Sequence, residues 1–176
     1  MPELKREIVQ ERPFSGPAEE ALLNLLRTAD CLNRALQHKI RPFGITATQY
    51  NVLRILRGSQ PHGLTCSEIG DRMITAEPDI TRLLGRLKAL KLIRQQRDGR
   101  DRRVVWTQIS PAGLALLAEM DPMVLDSPRE LLGHLGNDRL TLFIGLLEEA
   151  RKLCGGAQTP VSCDGKESGG QTCPIV

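Results

Sequence analysis

Thr65-Cys66-Ser67-Glu68-Ile69, then Asp79-Ile80-Thr81-Arg82-Leu83, then Arg97-Asp98-Gly99-Arg100-Asp101-Arg102-Arg103-Val104 succeed one another between positions 65 and 104 of this chain. Thr65 with Glu68 three residues on has the spacing of a capping box, so a short helix starts there and carries Ile69 and Met73. A tight connection at Ile74-Thr75 leads to a further helix, expected over 76–90. Its apolar residues Ile80, Leu83, Leu84, Leu87 and Leu90 recur at helical spacing, and Pro78 suits its first turn, where backbone donors have no intrahelical partner. After Leu90 the period changes. Segments 92–97 and 104–109 are β-rich and flank Asp98-Gly99, a strong hairpin signal.

Upstream, Pro17 sits where a helix would begin, followed by Glu19 and Glu20, which suit its positive end. Leu22, Leu25, Leu26, Ala29, Leu32, Leu36 and Ile40 then recur at helical spacing until Pro42 ends the run. This long helix has more apolar surface than a short domain needs to bury alone. Thr46 with Gln49 forms a second capping box, opening a helix that carries Tyr50, Leu53 and Leu56. Downstream, Ser110-Pro111 starts a helix with Leu114, Leu116, Leu117 and Met120, which Pro122 and Pro128 are expected to kink or divide. Asn137 is expected to cap a last helix bearing Leu140, Phe143, Leu146, Leu147 and Leu153. Residues 1–16 read as a flexible polar arm, and 154–176, rich in Gly, Ser and Thr, as a disordered tail.

Length and composition agree with this. The chain has 176 residues, 40% hydrophobic and only 3% aromatic, which favours helix-on-helix packing over a sandwich or barrel. No apolar run approaches the roughly 20 residues of a membrane span, and the charged N-terminus lacks the apolar stretch of a secretory signal, so a cytoplasmic protein is expected. The net charge is +3, yet residues 82–103 hold nine basic residues and two acidic ones, so the remainder carries a net −4. Five cysteines without a C-x-x-C pair, and His38, His62 and His134 scattered, give no metal site, and no cofactor is expected. Nor do a nucleophile, base and orienting group fall into a recognisable arrangement, so no enzyme is expected.

The concentrated charge points to double-stranded DNA. Off the leucine stripe, Asp79, Thr81, Arg82 and Arg86 face outward. Arg82 and Arg86 lie one turn apart and address one groove, while Thr75 and Thr81 suit phosphate. Arg97, Arg100, Arg102 and Arg103 on the hairpin are long enough for a minor groove, whose narrow A·T tracts concentrate negative potential. A basic helix face alone is usually just solvated; a basic helix beside a basic hairpin is the stronger signal. The alternatives are a winged-helix module that binds protein rather than DNA, and a thiol-based redox-sensing regulator. For the latter a sensing thiol needs a lowered pKa and suitable partners. Cys31, mid-helix beside Leu32, reads instead as a packed thiol, as does Cys66. Cys154, Cys163 and Cys173 read as sites of adventitious oxidation.

The three opening motifs, together with Phe43-Gly44-Ile45-Thr46-Ala47-Thr48-Gln49-Tyr50, resemble the MarR family of bacterial winged-helix regulators over residues 17–153. The most specific part is Asp-x-x-Asp-x-Arg, here Asp98, Asp101 and Arg103. The resemblance implies a mainly α fold with a small β-hairpin wing, a winged helix-turn-helix core at 46–109, and dimerisation helices at 17–41 and 111–153. It further implies a homodimer, joined through residues such as Leu22, Leu25, Leu140, Phe143, Leu146 and Leu147. Such a dimer would act as a stress-responsive repressor on a pseudo-palindromic operator, released by a small-molecule effector. By position, 76–90 becomes the recognition helix and 98–103 the wing, with Asp101 orienting a wing arginine, Arg103 first. Gly85 departs from the family pattern, since it places the smallest residue inside the recognition helix, at about 1 kcal/mol relative to Ala.

Overall fold

A computed structural model describes residues 3–153. The expected tail at 154–176, with Cys154, Cys163 and Cys173, lies outside the described residues. The elements are α1 (Glu3–Glu7), α2 (Pro17–Ile40), α3 (Ala47–Gly58), α4 (Cys66–Arg72), α5 (Ile80–Ala89), β1 (Ile93–Arg97), β2 (Val105–Ile109), α6 (Pro111–Leu132) and α7 (Asn137–Lys152). Short 3-10 turns follow α2 and α6, at Arg41–Phe43 and Gly133–Leu135. The architecture is the expected one, mainly helical with one antiparallel hairpin among the described residues.

Helix starts follow local chemistry. Thr46 accepts from the Gln49 N–H while the Gln49 side chain returns to the Thr46 N–H, and Thr65 and Glu68 repeat the exchange. Ser110 caps α6 by accepting from the Gly113 N–H. The buried core gathers Val52, Leu53 and Leu56 of α3, Ile69 of α4, the α5 stripe, Ile93 and Ile109 at the hairpin base, and Leu117 and Met120 of α6. The hairpin register pairs Ile93 with Ile109 and Arg97 with Val105. Leu64 adds one rung, exchanging both backbone bonds with Thr107. One residue between Gly63 and the Thr65 cap is too short to register as a strand in sequence.

Several expectations change. The arm at 1–16 is not wholly irregular: α1 buries Leu4, and Glu7 pairs with Arg27 on α2 at 3.3 Å. Five residues are too few to show a helical period. Helix α6 is continuous across Pro122 and Pro128 rather than divided. Each proline forfeits one backbone bond, but Leu117 and Met120 are fully buried and the Ser127 hydroxyl donates to the Met123 carbonyl, so packing holds the helix together. Gly136 rather than Asn137 occupies the cap of α7, at φ 76°. Cys31 is exposed in this chain and not packed, whereas Cys66 is half-buried against the core, as expected.

Two ion pairs tie α6 to the rest. Arg57 of α3 meets Asp121 at 2.7 Å, which holds the guanidinium in its charged form, and Lys39 of α2 meets Glu130. By contrast, α7 buries none of its residues and α2 buries only Ile40. Among the described residues no helix is long and apolar enough to cross a membrane.

Candidate nucleic-acid interface

The helix carrying the basic face begins later than its periodicity suggests. Residues 76–78 stay outside it, and Asp79 is its cap, accepting from the Arg82 N–H at 2.8 Å. Pro78 disfavours a helical conformation at Glu77, so the first turn forms beyond the proline. The expected span 76–90 therefore shortens to Ile80–Ala89. Of the site residues, Thr75 stays in the connection where it was expected, and Asp79 becomes the cap. Thr75 lies exposed in the α4–α5 connection, where the Ile74 N–H donates to Asn51 Oδ1 of α3. The Asp79 carboxylate is spent on the helix end and does not face outward as a free group. Asn51 was not anticipated, since a side chain reaching a loop 23 residues away leaves no local signal.

The expected stripe divides as the spacing requires except at Leu90, which lies beyond the helix end and is exposed. Ile80, Leu83, Leu84 and Leu87 are buried, while Thr81, Arg82 and Arg86 are exposed. Gly85 shares the exposed side, and a Cβ there would meet nothing within 4 Å. Nothing in the structure requires glycine at this position.

The wing is a seven-residue loop, 98–104, one residue longer than the expected 98–103, because β2 begins at Val105. Gly99 is not among the glycines with positive φ, so no mirror-image turn forms. Asp98 organises the loop instead. Its Oδ1 accepts from the Arg100 and Asp101 N–H groups at 2.7 and 3.0 Å, and its Oδ2 accepts from Trp106 Nε1 at 3.0 Å. The Asp101 N–H, then the indole, then the Arg100 N–H hold the Asp98 carboxyl below the usual range, so it is ionised at neutral pH. Asp101 Oδ1 accepts from the backbone N–H of Arg103 at 2.9 Å. It thus meets Arg103 through the main chain and not by an ion pair with the guanidinium. Trp106 was missed: in sequence it reads only as a strand residue, and its partner is eight positions away.

Arg97, Arg100, Arg102 and Arg103 are all exposed, and none of them, nor Arg82 or Arg86, is in an ion pair among the described residues. No group of three His, Cys, Asp or Glu is placed to hold a metal among those residues. The surface is thus built of uncompensated guanidinium groups on two adjoining elements, one helical and one a hairpin.

A short helix, a connection, a second helix with an exposed basic face and an arginine-bearing hairpin beside it together define a winged helix-turn-helix protein. Comparison with known proteins narrows this. The model of the MarR family matches residues 43–104. A MarR transcription factor from Planctomyces limnophilus has a solved structure 38% identical, covering 77% of this chain and 98% of its own, with a TM-score of 0.60. Bordetella bronchiseptica BpsR, solved in a study of how 6-hydroxynicotinic acid regulates its DNA binding, is 25% identical over 79% of this chain and 97% of its own, with a TM-score of 0.69. The HTH-type transcriptional regulator MhqR of Bacillus subtilis is 26% identical over 126 residues, 70% of this chain and 84% of MhqR. The chain belongs to the MarR family and is a transcriptional regulator, not an enzyme.

Proposed function

We propose that this regulator is a homodimeric repressor that reads a pseudo-palindromic operator and is released from it by a small-molecule effector. In this reading residues 46–109 form the DNA-binding lobe. Thr81, Arg82 and Arg86 of α5 enter the major groove, with Thr75 on a flanking phosphate, and Arg97, Arg100, Arg102 and Arg103 reach the minor groove or backbone. Asp79 and Asp98 shape the reading elements without touching DNA. The observation that carries the reading is the set of six exposed arginines without ion-pair partners on two adjacent elements. Such groups keep their charge for an external anion.

The dimer reading rests on apolar surface left open on α2 and α7. An effector acting between the lobes would work through α6, which Arg57–Asp121 links to α3 and Lys39–Glu130 links to α2. BpsR, whose DNA binding 6-hydroxynicotinic acid regulates, supports an effector of the small-molecule kind.

Fluorescence anisotropy with DNA flanking the protein's own gene, titrated with salt, tests the proposal. Saturable binding that survives competitor DNA is expected, weakening steeply as salt rises because counterions are released. Arg102→Ala and Arg103→Ala should each weaken binding and lower the salt slope by about 1 per lost phosphate contact, without unfolding the protein. Wild-type affinity in both variants would remove the wing from the interface. No binding at any salt would favour a winged-helix module that binds protein.

A further inference from the structure

We propose that Trp106 is a positioning residue of the wing, whose indole N–H, held by Asp98, fixes the loop that presents Arg100, Arg102 and Arg103. The inference rests on the DNA-binding reading above and adds to it a residue that touches no DNA. Loop 98–104 carries three arginines, and like charges with rotamer-rich side chains favour a spread of conformations. A loop that is ordered only on binding loses affinity to that ordering.

Most hydrogen bonds of this loop are internal to it. Asp98 N–H donates to the Val104 carbonyl, Val104 N–H to the Asp101 carbonyl, and the two carboxylates take the Arg100, Asp101 and Arg103 N–H groups. These bonds shape the loop but do not attach it to anything. Among the described residues the one side-chain hydrogen bond that leaves 98–104 runs from Trp106 Nε1 to Asp98 Oδ2. Its far end is firm. Trp106 lies on β2 beside Thr107, which is fully buried and exchanges both backbone bonds with Leu64.

The register explains the reach. Trp106 stands opposite Gln96, so Asp98, two residues further, is its diagonal neighbour, within range of a large ring. Core packing does not account for the tryptophan. Thr107 and Ile109 point the other way into the interior, and Trp106 is only half-buried and outside the apolar core. The bond is also a strong type, from a neutral donor to a carboxylate held ionised.

The test is Trp106→Phe in the full chain, which keeps a ring and removes the N–H. In the free protein, amide hydrogen exchange at Arg100 and Asp101 should quicken, while exchange at Leu64 and Thr107 stays as in wild type. Operator affinity should fall by about three- to tenfold, less than the full worth of a hydrogen bond to a charged group because only the ordering of the loop is lost, and the salt slope should fall with it. In a background carrying Arg100→Ala, Arg102→Ala and Arg103→Ala the same substitution should change neither quantity. An equal loss in both backgrounds, or wild-type exchange and affinity in Trp106→Phe, overturns the proposal. Should the phenylalanine variant fail to fold, Trp106→Leu, which also lacks the N–H and leaves Asp98 in place, must give the same exchange pattern. If wild type binds no operator, the DNA reading falls and takes this role with it. If wild type binds and Trp106→Phe is indifferent, only the role of Trp106 falls.

Discussion

Gly113 of α6 lies directly against the backbone of Leu92, where the chain enters the hairpin. A Cβ on Gly113 would overlap the Leu92 carbonyl oxygen and stand 2.8 Å from Ile109 Cγ1. That oxygen also accepts from the Ser110 N–H at 3.0 Å, so it is held from two sides and has little freedom to move away. Gly113→Ala should therefore cost about 2–3 kcal/mol by overpacking. Gly85→Ala should do the reverse, since its Cβ meets open space and alanine favours a helix interior by up to about 1 kcal/mol. Urea denaturation of the two variants gives the comparison. Equal stabilities would contradict the close approach of α6 to the hairpin base.

Thr107 is fully buried, and its hydroxyl has no hydrogen-bond partner among the described residues, although its backbone is paired with Leu64. Valine has nearly the same shape, suits a strand and removes the stranded oxygen. Thr107→Val should gain about 1 kcal/mol, read as a rise of about 2–4 °C in Tm for a chain of this size. A lower Tm would mean that the hydroxyl has a partner in solution.

Most of the architecture is legible in the sequence because short-range signals place it. Thr46 with Gln49 and Thr65 with Glu68 mark two helix starts to the residue, and the leucine stripes give the buried faces of α3 and α5. The errors arise where two local cues compete, or where a partner elsewhere in the chain decides the outcome. Pro78 fits a first helical turn equally well as a residue before the cap, and the Asp79–Arg82 bond decides for the latter. Asp98-Gly99 marks the hairpin, but it gives no sign that the Asp98 carboxylate gathers three N–H donors, one of them from Trp106. Leu4 shows nothing in a polar segment until α2 covers it. The exposed arginines were legible by type and position, whereas Asn51 and Trp106, whose hydrogen bonds run to Ile74 and Asp98, left no signal in the sequence.

The apolar surface of the single chain predicts where a second copy binds. Leu22 and Leu146 are 56% and 55% exposed, Leu25, Leu26, Leu142 and Ile144 are exposed as well, and α7 has no buried residue to anchor it. Leu140, Phe143 and Leu147 are only half-buried. A 16-residue helix gains most of its stability from packing an apolar face, and the described residues bury none of α7, which suits a second copy as its partner. Leu22→Glu or Leu146→Glu would place a carboxylate in that seam, where losing its hydration is costly. Sedimentation equilibrium should show a shift toward monomer in each variant. Operator affinity should fall with it, because a monomer holds only one half-site. The winged-helix lobe has its own core, so circular dichroism should keep the helical signal of α3 to α6. A variant that stays a tight dimer and binds DNA as wild type does would place the interface on another surface.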